Sequence, residues 1–263
     1  MDITLEELYT GKPTVIKGKT YYGTEAYVKP FVERLKEKTD DFRVHIQLPD
    51  QYTITDDGKV RTEDLTYNRV YIEAVMPDNK LFENHDKVIG MVMGLDVRKP
   101  VAKFFAGSLN SACTNLCVFS PTYLAIQQIE EGQPLDFLPL DNIIQKEDET
   151  FEHLVRMNST VWPNNPYQRE RLLGKWIDNS ILFQYNDDFQ KVKIGTDAII
   201  RAYKSMFFDE NSEYYIRDNT FTNMNAYNAL TQQITNERDK GKVFSLPEKT
   251  ILCGRIIDVS PES

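Results

Sequence analysis

Lys87-Val-Ile-Gly-Met-Val-Met-Gly-Leu95 is the stretch on which the fold turns. Its apolar side chains follow one another without a polar alternation, which suits a central strand buried on both faces. Outward from it, Phe42-Arg-Val-His-Ile-Gln-Leu48 and Arg69-Val-Tyr-Ile-Glu-Ala-Val75 alternate apolar with polar, as half-buried strands do. Thr53 to Val60 contains Asp57-Gly58, a hairpin signal, and Pro100 to Ala106 continues the sheet beyond a turn. This spacing predicts an antiparallel meander.

The flanks read as helices. Residues 3–10 form a short one. Thr24 to Lys38 is amphipathic, with Tyr27, Phe31 and Leu35 on one face, Thr24 as N-cap and Pro30 as an internal kink. From Pro121 the pattern turns helical: Tyr123 to Glu130, Asp141 to Met157, Asn165-Pro166 onward to about Phe183, Thr196 to Phe207, and Phe221 to Arg238 closed by Gly241. Thr250 to Ile257 regains strand character. The reading is α+β: an antiparallel sheet in the first half packed by helices from the second. It gives one domain over 1–263, sheet-rich at 40–119 and helix-rich at 120–241, with a C-terminal strand at 249–258 rejoining the sheet.

The chain has 263 residues, 41% of them hydrophobic, with 14 Tyr and 14 Phe, ample material for a core. No window has the apolar length of a membrane span, so no membrane partner is expected. Met1-Asp-Ile-Thr-Leu-Glu-Glu7 lacks the basic and apolar regions of a secretory signal. Three cysteines are too few for a disulfide framework, which suits the cytoplasm. Net charge is −9: residues 1–150 carry 17 cations against 25 anions, and residues 151–263 carry 14 against 15. An acidic chain disfavours nucleic acid in general, yet a local cationic stripe acts within a Debye length.

Enzymatic chemistry finds little to work with. His45, His85 and His153 are scattered, and Cys113 and Cys117 have no matching pair, so neither metal nor cofactor is expected. No nucleophile elbow, P-loop or dinucleotide-binding glycine motif occurs, which argues against an ATP-driven mechanism. Asp56-Asp57, Glu63-Asp64 and Asp187-Asp188 are carboxylate pairs of the kind nucleases use, but they sit among turn residues and read as solvated loops. Binding chemistry has better material. Arg98, Lys99 and Lys103 precede Phe104-Phe105, and cations beside aromatics suit a polyanion with stackable bases. Adjacent strand residues face opposite ways, so only one phenylalanine can stack, and Phe105 is the candidate. The small residues Ala106-Gly107-Ser108 admit a backbone or a ligand closely. Asn115 follows in a polar cluster. A second cationic set lies on the helix carrying Arg169, Arg171 and Lys175, with Arg201 and Lys204 on the next. The Phe221 to Arg238 helix is rich in amides, which can pair with backbone or bases.

Two segments resemble a known family. Ala112-Cys113-Thr114-Asn115-Leu116, preceded by an apolar strand and Phe104-Phe105, is similar to the Cys-x-Asn signature of a phage- and plasmid-encoded family without an assigned function. Met224-Asn-Ala-Tyr-Asn-Ala-Leu-Thr231 resembles its C-terminal helix, and the order of elements is similar over residues 40–240. That family is in turn remotely similar to phage single-strand annealing proteins, which form rings or filaments and pair complementary strands without ATP. One departure stands out: the family often has an arginine three residues before the signature cysteine, and here the residue is Asn110.

The resemblance implies a non-enzymatic, homo-oligomeric protein that binds single-stranded DNA in the host cytoplasm, acting in recombination or strand annealing. The expected contacts are Arg98, Lys99, Lys103, Phe105, Asn115, Arg169, Arg171 and Lys175. The alternative is an acidic phage protein whose partner is a host protein, a defence factor that it inhibits.

Overall fold

A computed structural model describes residues 2–16, 18–47, 69–76, 85–95, 100–110, 115–118, 121–146, 150–186, 192–235 and 245–257. The hairpin expected at 53–60, the three carboxylate pairs, Arg98, Lys99, Cys113 and Gly241 lie outside the described residues. In chain order the elements begin with β1 (Asp2–Ile3), α1 (Leu5–Tyr9), β2 (Thr14–Ile16), β3 (Lys19–Tyr21) and α2 (Thr24–Leu35). Next come the strands β4 (Asp41–Gln47), β5 (Arg69–Met76), β6 (His85–Gly94), β7 (Val101–Asn110), β8 (Asn115–Cys117) and β9 (Leu124–Gln128). Then follow α3 (Leu138–Gln145), α4 (Thr150–Ser159), β10 (Val161–Pro163), α5 (Pro166–Asn186), α6 (Thr196–Phe207), β11 (Thr220–Thr222), α7 (Asn223–Thr235) and α8 (Leu246–Ile257). Early strands and later helices make the fold α+β.

Contacts divide the chain into two compact units that interleave along it. One gathers residues 1–80, 86–106 and 124–145; the other gathers 81–85, 107–123 and 146–263. The first unit is built on an antiparallel sheet in the order β1-β4-β5-β6-β7, with β9 on the far side of β7. The apolar run read as a central strand is β6, and it is buried from end to end. Gly90 opens a notch in it. The Phe105 ring fills that notch so closely that a Cβ on residue 90 would lie 2.0 Å from its Cζ. Phe105 also stacks on Tyr71, ring centroids 5.8 Å apart. Phe104 faces the opposite side of β7 and meets Phe137 at 5.4 Å.

Helix α2 buries Tyr27, Phe31 and Leu35, the stripe read from the sequence, and Val28 beside them, with Pro30 inside it. Its N-cap is Gly23 rather than Thr24. The Gly11 carbonyl accepts from the Thr24 amide at 3.2 Å, and a Cβ on residue 23 would lie 2.4 Å from that oxygen. Only glycine admits the approach. Helix α1 starts on a reciprocal capping box between Thr4 and Glu7.

In the second unit the end of β7 pairs with β8, and α5, α6, α7 and α8 pack in a ring, each against the next. Gly107 shows what the small-residue run is for. A Cβ there would lie 2.4 Å from the Cys117 carbonyl oxygen, so the close approach is made by the chain's own strand β8. A short ribbon of β10 and β11 carries Trp162 opposite Phe221, with ring planes 9° apart.

Two element assignments from the sequence are overturned. Residues 124–128 form strand β9, not a helix. Leucine, alanine and glutamine are good helix formers, but the open side of β7 pairs with them in register, Val101 opposite Gln128 through Phe105 opposite Leu124. The C-terminal strand expected at 249–258 is instead helix α8. A short apolar run fits a buried strand or a buried helix equally by periodicity. Here Ile251, Leu252, Cys253, Ile256 and Ile257 are all buried around the helix, and Thr250 donates to the Pro247 carbonyl at 2.9 Å within it. The helix expected at 141–157 is two, α3 and α4, and α7 begins at Asn223 because Phe221 belongs to β11.

Gly90→Ala should destabilise the protein by about 1–3 kcal/mol, since the added methyl overfills a packed site. Urea unfolding followed by circular dichroism checks this, and the loss should shrink when Phe105→Leu accompanies it.

Candidate nucleic-acid interface

Of the first cationic-aromatic candidate, the two described members on β7 are not at the surface. Lys103 is 5% exposed and Phe105 0% exposed. Burying a phenylalanine is worth about 1.5–3 kcal/mol, which a ring turned out to stack on a base would forfeit. Asn115 opens β8 opposite Asn110 in the strand register. Of this group no two members are brought together at an exposed surface among the described residues.

The α5 candidates divide by helix geometry. Asn165 begins the helix, its Oδ1 accepting from the Gln168 amide at 3.0 Å, and Pro166 occupies the first turn. Residues turn by about 100° each, so Tyr167, Arg171 and Lys175 follow one another along a single side, while Arg169 lies about 160° from Arg171. Arg169 is locked inward. Its Nε donates to Asn164 Oδ1 at 2.7 Å, and its Cζ sits 5.0 Å from the Phe207 ring centre. It braces α5 against α6. Arg171 and Lys175 are half-buried neighbours, and Tyr167 is 72% exposed one turn earlier. Partial burial lowers the Lys175 pKa, and the adjacent Arg171 charge lowers it further. Ile181 and Leu182 extend the same side and are half exposed.

The other aromatics near these cations are interior: Trp176 is buried, and Tyr203 packs edge-on against Phe207 at 5.1 Å. On α6, Arg201 and Lys204 are exposed, and Arg201 Nε donates to Gln233 Oε1 at 3.1 Å. The amide-rich helix α7 is structural where its bonds are seen. Asn223 Oδ1 accepts from the buried Trp162 Nε1 at 2.8 Å. Asn225 Oδ1 accepts from the Thr222 amide at 2.8 Å, and its own amide donates back to Thr222 Oγ1 at 3.3 Å, a reciprocal cap. Gln232 Oε1 accepts from the Tyr214 hydroxyl at 3.2 Å. These amides hold α7 in place.

His85 Nδ1 lies 3.1 Å from Ser108 Oγ, and both side chains are buried. Among the described residues no group of three His, Cys, Asp or Glu side chains could hold a metal ion, and no helix is long and apolar enough to cross a membrane. A polar cleft by β3 is lined by Lys19, Tyr21, Gln128, Glu130, Glu131 and Gln133. It is open to solvent. The buried Cys117 and Cys253 belong to the core of the second unit. Burial pushes the Cys253 thiol well above its ordinary 9.0, and Cys117 adds to the rise. Burial likewise raises the Tyr227 hydroxyl, which donates to the Thr250 carbonyl at 3.2 Å.

Tyr167, near these cations in the sequence but not among the expected contacts, stands on their side of the helix: helical spacing alone puts it beside Arg171 and Lys175 and sets Arg169 apart. Comparison with family models, curated proteins and solved structures returned no match.

Asn223→Ala strands the Trp162 N–H in the core and should cost about 1–3 kcal/mol in urea unfolding. A pH series gives a second check. The unfolded chain releases the Cys253 proton near its ordinary 9.0 while the folded chain keeps it. Stability is therefore full below pH 9 and falls as pH rises beyond it, by about 1.4 kcal/mol per pH unit for one such group. Cys253→Ala should flatten that decline.

Proposed function

We propose that this is a non-enzymatic protein that binds single-stranded DNA, through the exposed side of α5, in ATP-independent recombination or strand annealing. The observation that carries the reading is Arg171 beside Lys175 with Tyr167 one turn away. Like charges four residues apart on a helix repel. Partial burial lowers the Lys175 pKa first, and the neighbouring Arg171 charge lowers it further. A phosphate at this place meets two cations at once, and the exposed tyrosine offers a face on which a base stacks at no sequence preference. Resemblance of residues 40–240 to a family remotely similar to annealing proteins supplies the process. The buried Lys103 and Phe105 leave the proposed contact set, and Arg169 supports α5 from behind.

The chain's charge of −9 favours a second reading, in which its acidic surface engages a host protein in place of DNA. Fluorescence anisotropy with a labelled oligonucleotide separates them. Binding should weaken at least tenfold in the Arg171→Glu, Lys175→Glu double variant. Its salt dependence should also become shallower, by roughly 0.7 in log–log slope for each lost contact. Tyr167→Ala should weaken it about fivefold or more. An oligonucleotide that the wild-type chain ignores at low salt, or affinity unchanged in the folded double variant, rejects the DNA reading.

A further inference from the structure

We propose that the polar cleft beside β3 binds a small zwitterion of amino-acid type, one molecule carrying both an ammonium and a carboxylate. All of its lining belongs to the first unit, whereas the α5 contacts belong to the second, so the proposal stands apart from the DNA reading. Its volume is about 450 Å³, within the range of small-molecule sites. Its walls are fixed. Lys19 and Tyr21 stand two residues apart on β3 and share one face of it. The other wall follows β9, where the Gln133 amide donates to the Glu130 carbonyl at 3.3 Å and Gly132 takes φ +65° in the turn. Three bonds tie this wall down: Thr20 N–H to Glu131 Oε1 at 2.9 Å, the Tyr22 hydroxyl to the Gly132 carbonyl at 2.8 Å, and Ile129 N–H to the Pro100 carbonyl at 2.8 Å. Binding then costs little ordering of the backbone.

Tyr21 points to a ligand. It is 3% exposed, and among the described residues its hydroxyl has no hydrogen-bond partner. Polar groups so deeply placed are ordinarily paired. Tyr21 lines the cleft, so a polar atom bound there can take the bond. Pro100 and the buried Ile129 line it too, and they offer apolar contact to the carbon atoms of a ligand.

Charge selects the chemistry. Lys19 and Glu130 are both exposed at this cleft, and among the described residues neither side chain forms an ion pair or a hydrogen bond. Opposite charges that share a cleft without meeting leave room for a molecule between them. A bare anion drawn to Lys19 would meet Glu130 and Glu131, and a bare cation drawn to the carboxylates would meet Lys19. A zwitterion answers both, its carboxylate accepting from the Lys19 ammonium and its ammonium donating to Glu130. Hydrogen bonds between ionised groups are the strong ones. The side-chain amides of Gln128 and Gln133, each a donor and an acceptor, suit a polar ligand side chain such as another amide.

Isothermal titration calorimetry of the full chain with L-glutamine tests this. Saturable binding at one site is expected, with a Kd of about 1 mM or below. N-acetyl-L-glutamine lacks the ammonium and L-glutaminamide lacks the carboxylate, and each should bind about tenfold more weakly. Lys19→Gln should cancel the penalty for the missing carboxylate and keep that for the missing ammonium, and Glu130→Gln should do the converse. Tyr21→Phe keeps the ring and should weaken binding about threefold or more. Glucose, a neutral polyol, should give no saturable heat. L-glutamine that fails to saturate the wild type by about 10 mM overturns the proposal. So does a blocked form or glucose that binds as tightly as L-glutamine, or an affinity unchanged in Lys19→Gln and Glu130→Gln variants whose urea midpoints match the wild type.

Discussion

Phe105 lying in the notch over Gly90 is the contact from which the first unit is organised. One strand must surrender a side chain so that its neighbour can insert a whole ring. The reward is a stack that ties β5, β6 and β7 through Tyr71 and Phe105. The same insertion dictates which face of β7 is which: Phe104 must then point the other way, toward Phe137. Once β7 is so oriented, its open side accepts β9, and five residues with ordinary helix propensity become a strand.

Much of this architecture was legible in the residues. The period-two runs at 42–48 and 69–75 gave strands β4 and β5 within two residues, because sheet alternation survives in the local pattern. Asn165-Pro166 marked the start of α5 for a local reason also, a capped first turn. What failed was what depends on distant partners. Nothing near Leu124 announces that β7 needs a neighbour. Nothing near Ile251 says whether its apolar run is covered from two sides as a strand or all round as a helix. Gly90 and Phe105 lie fifteen positions apart, and only their meeting explains either.

The site was less legible, for a reason that recurs across the chain. A cation next to an aromatic in the sequence describes a solvent-facing groove only if the backbone turns both outward. In β7 it does the reverse. On α5 it does so for Tyr167, Arg171 and Lys175 and not for Arg169, whose guanidinium is taken by Asn164 and Phe207. The amides of α7 teach the same lesson. An amide-rich helix can offer its amides to bases, yet here Asn223 anchors a tryptophan and Asn225 caps the helix. Residue type nominates a role, and orientation assigns it.

The bond from the Val118 amide to Thr250 Oγ1 spans 132 residues of chain. Helix α8 must therefore arrive before the second unit can seal Cys117 and Tyr227 from water. During synthesis β8 and α7 are made before α8, the helix that packs on both. Folding of that half is a late, long-range event, slow by its topology, and its nascent form is the state most in need of shelter from aggregation.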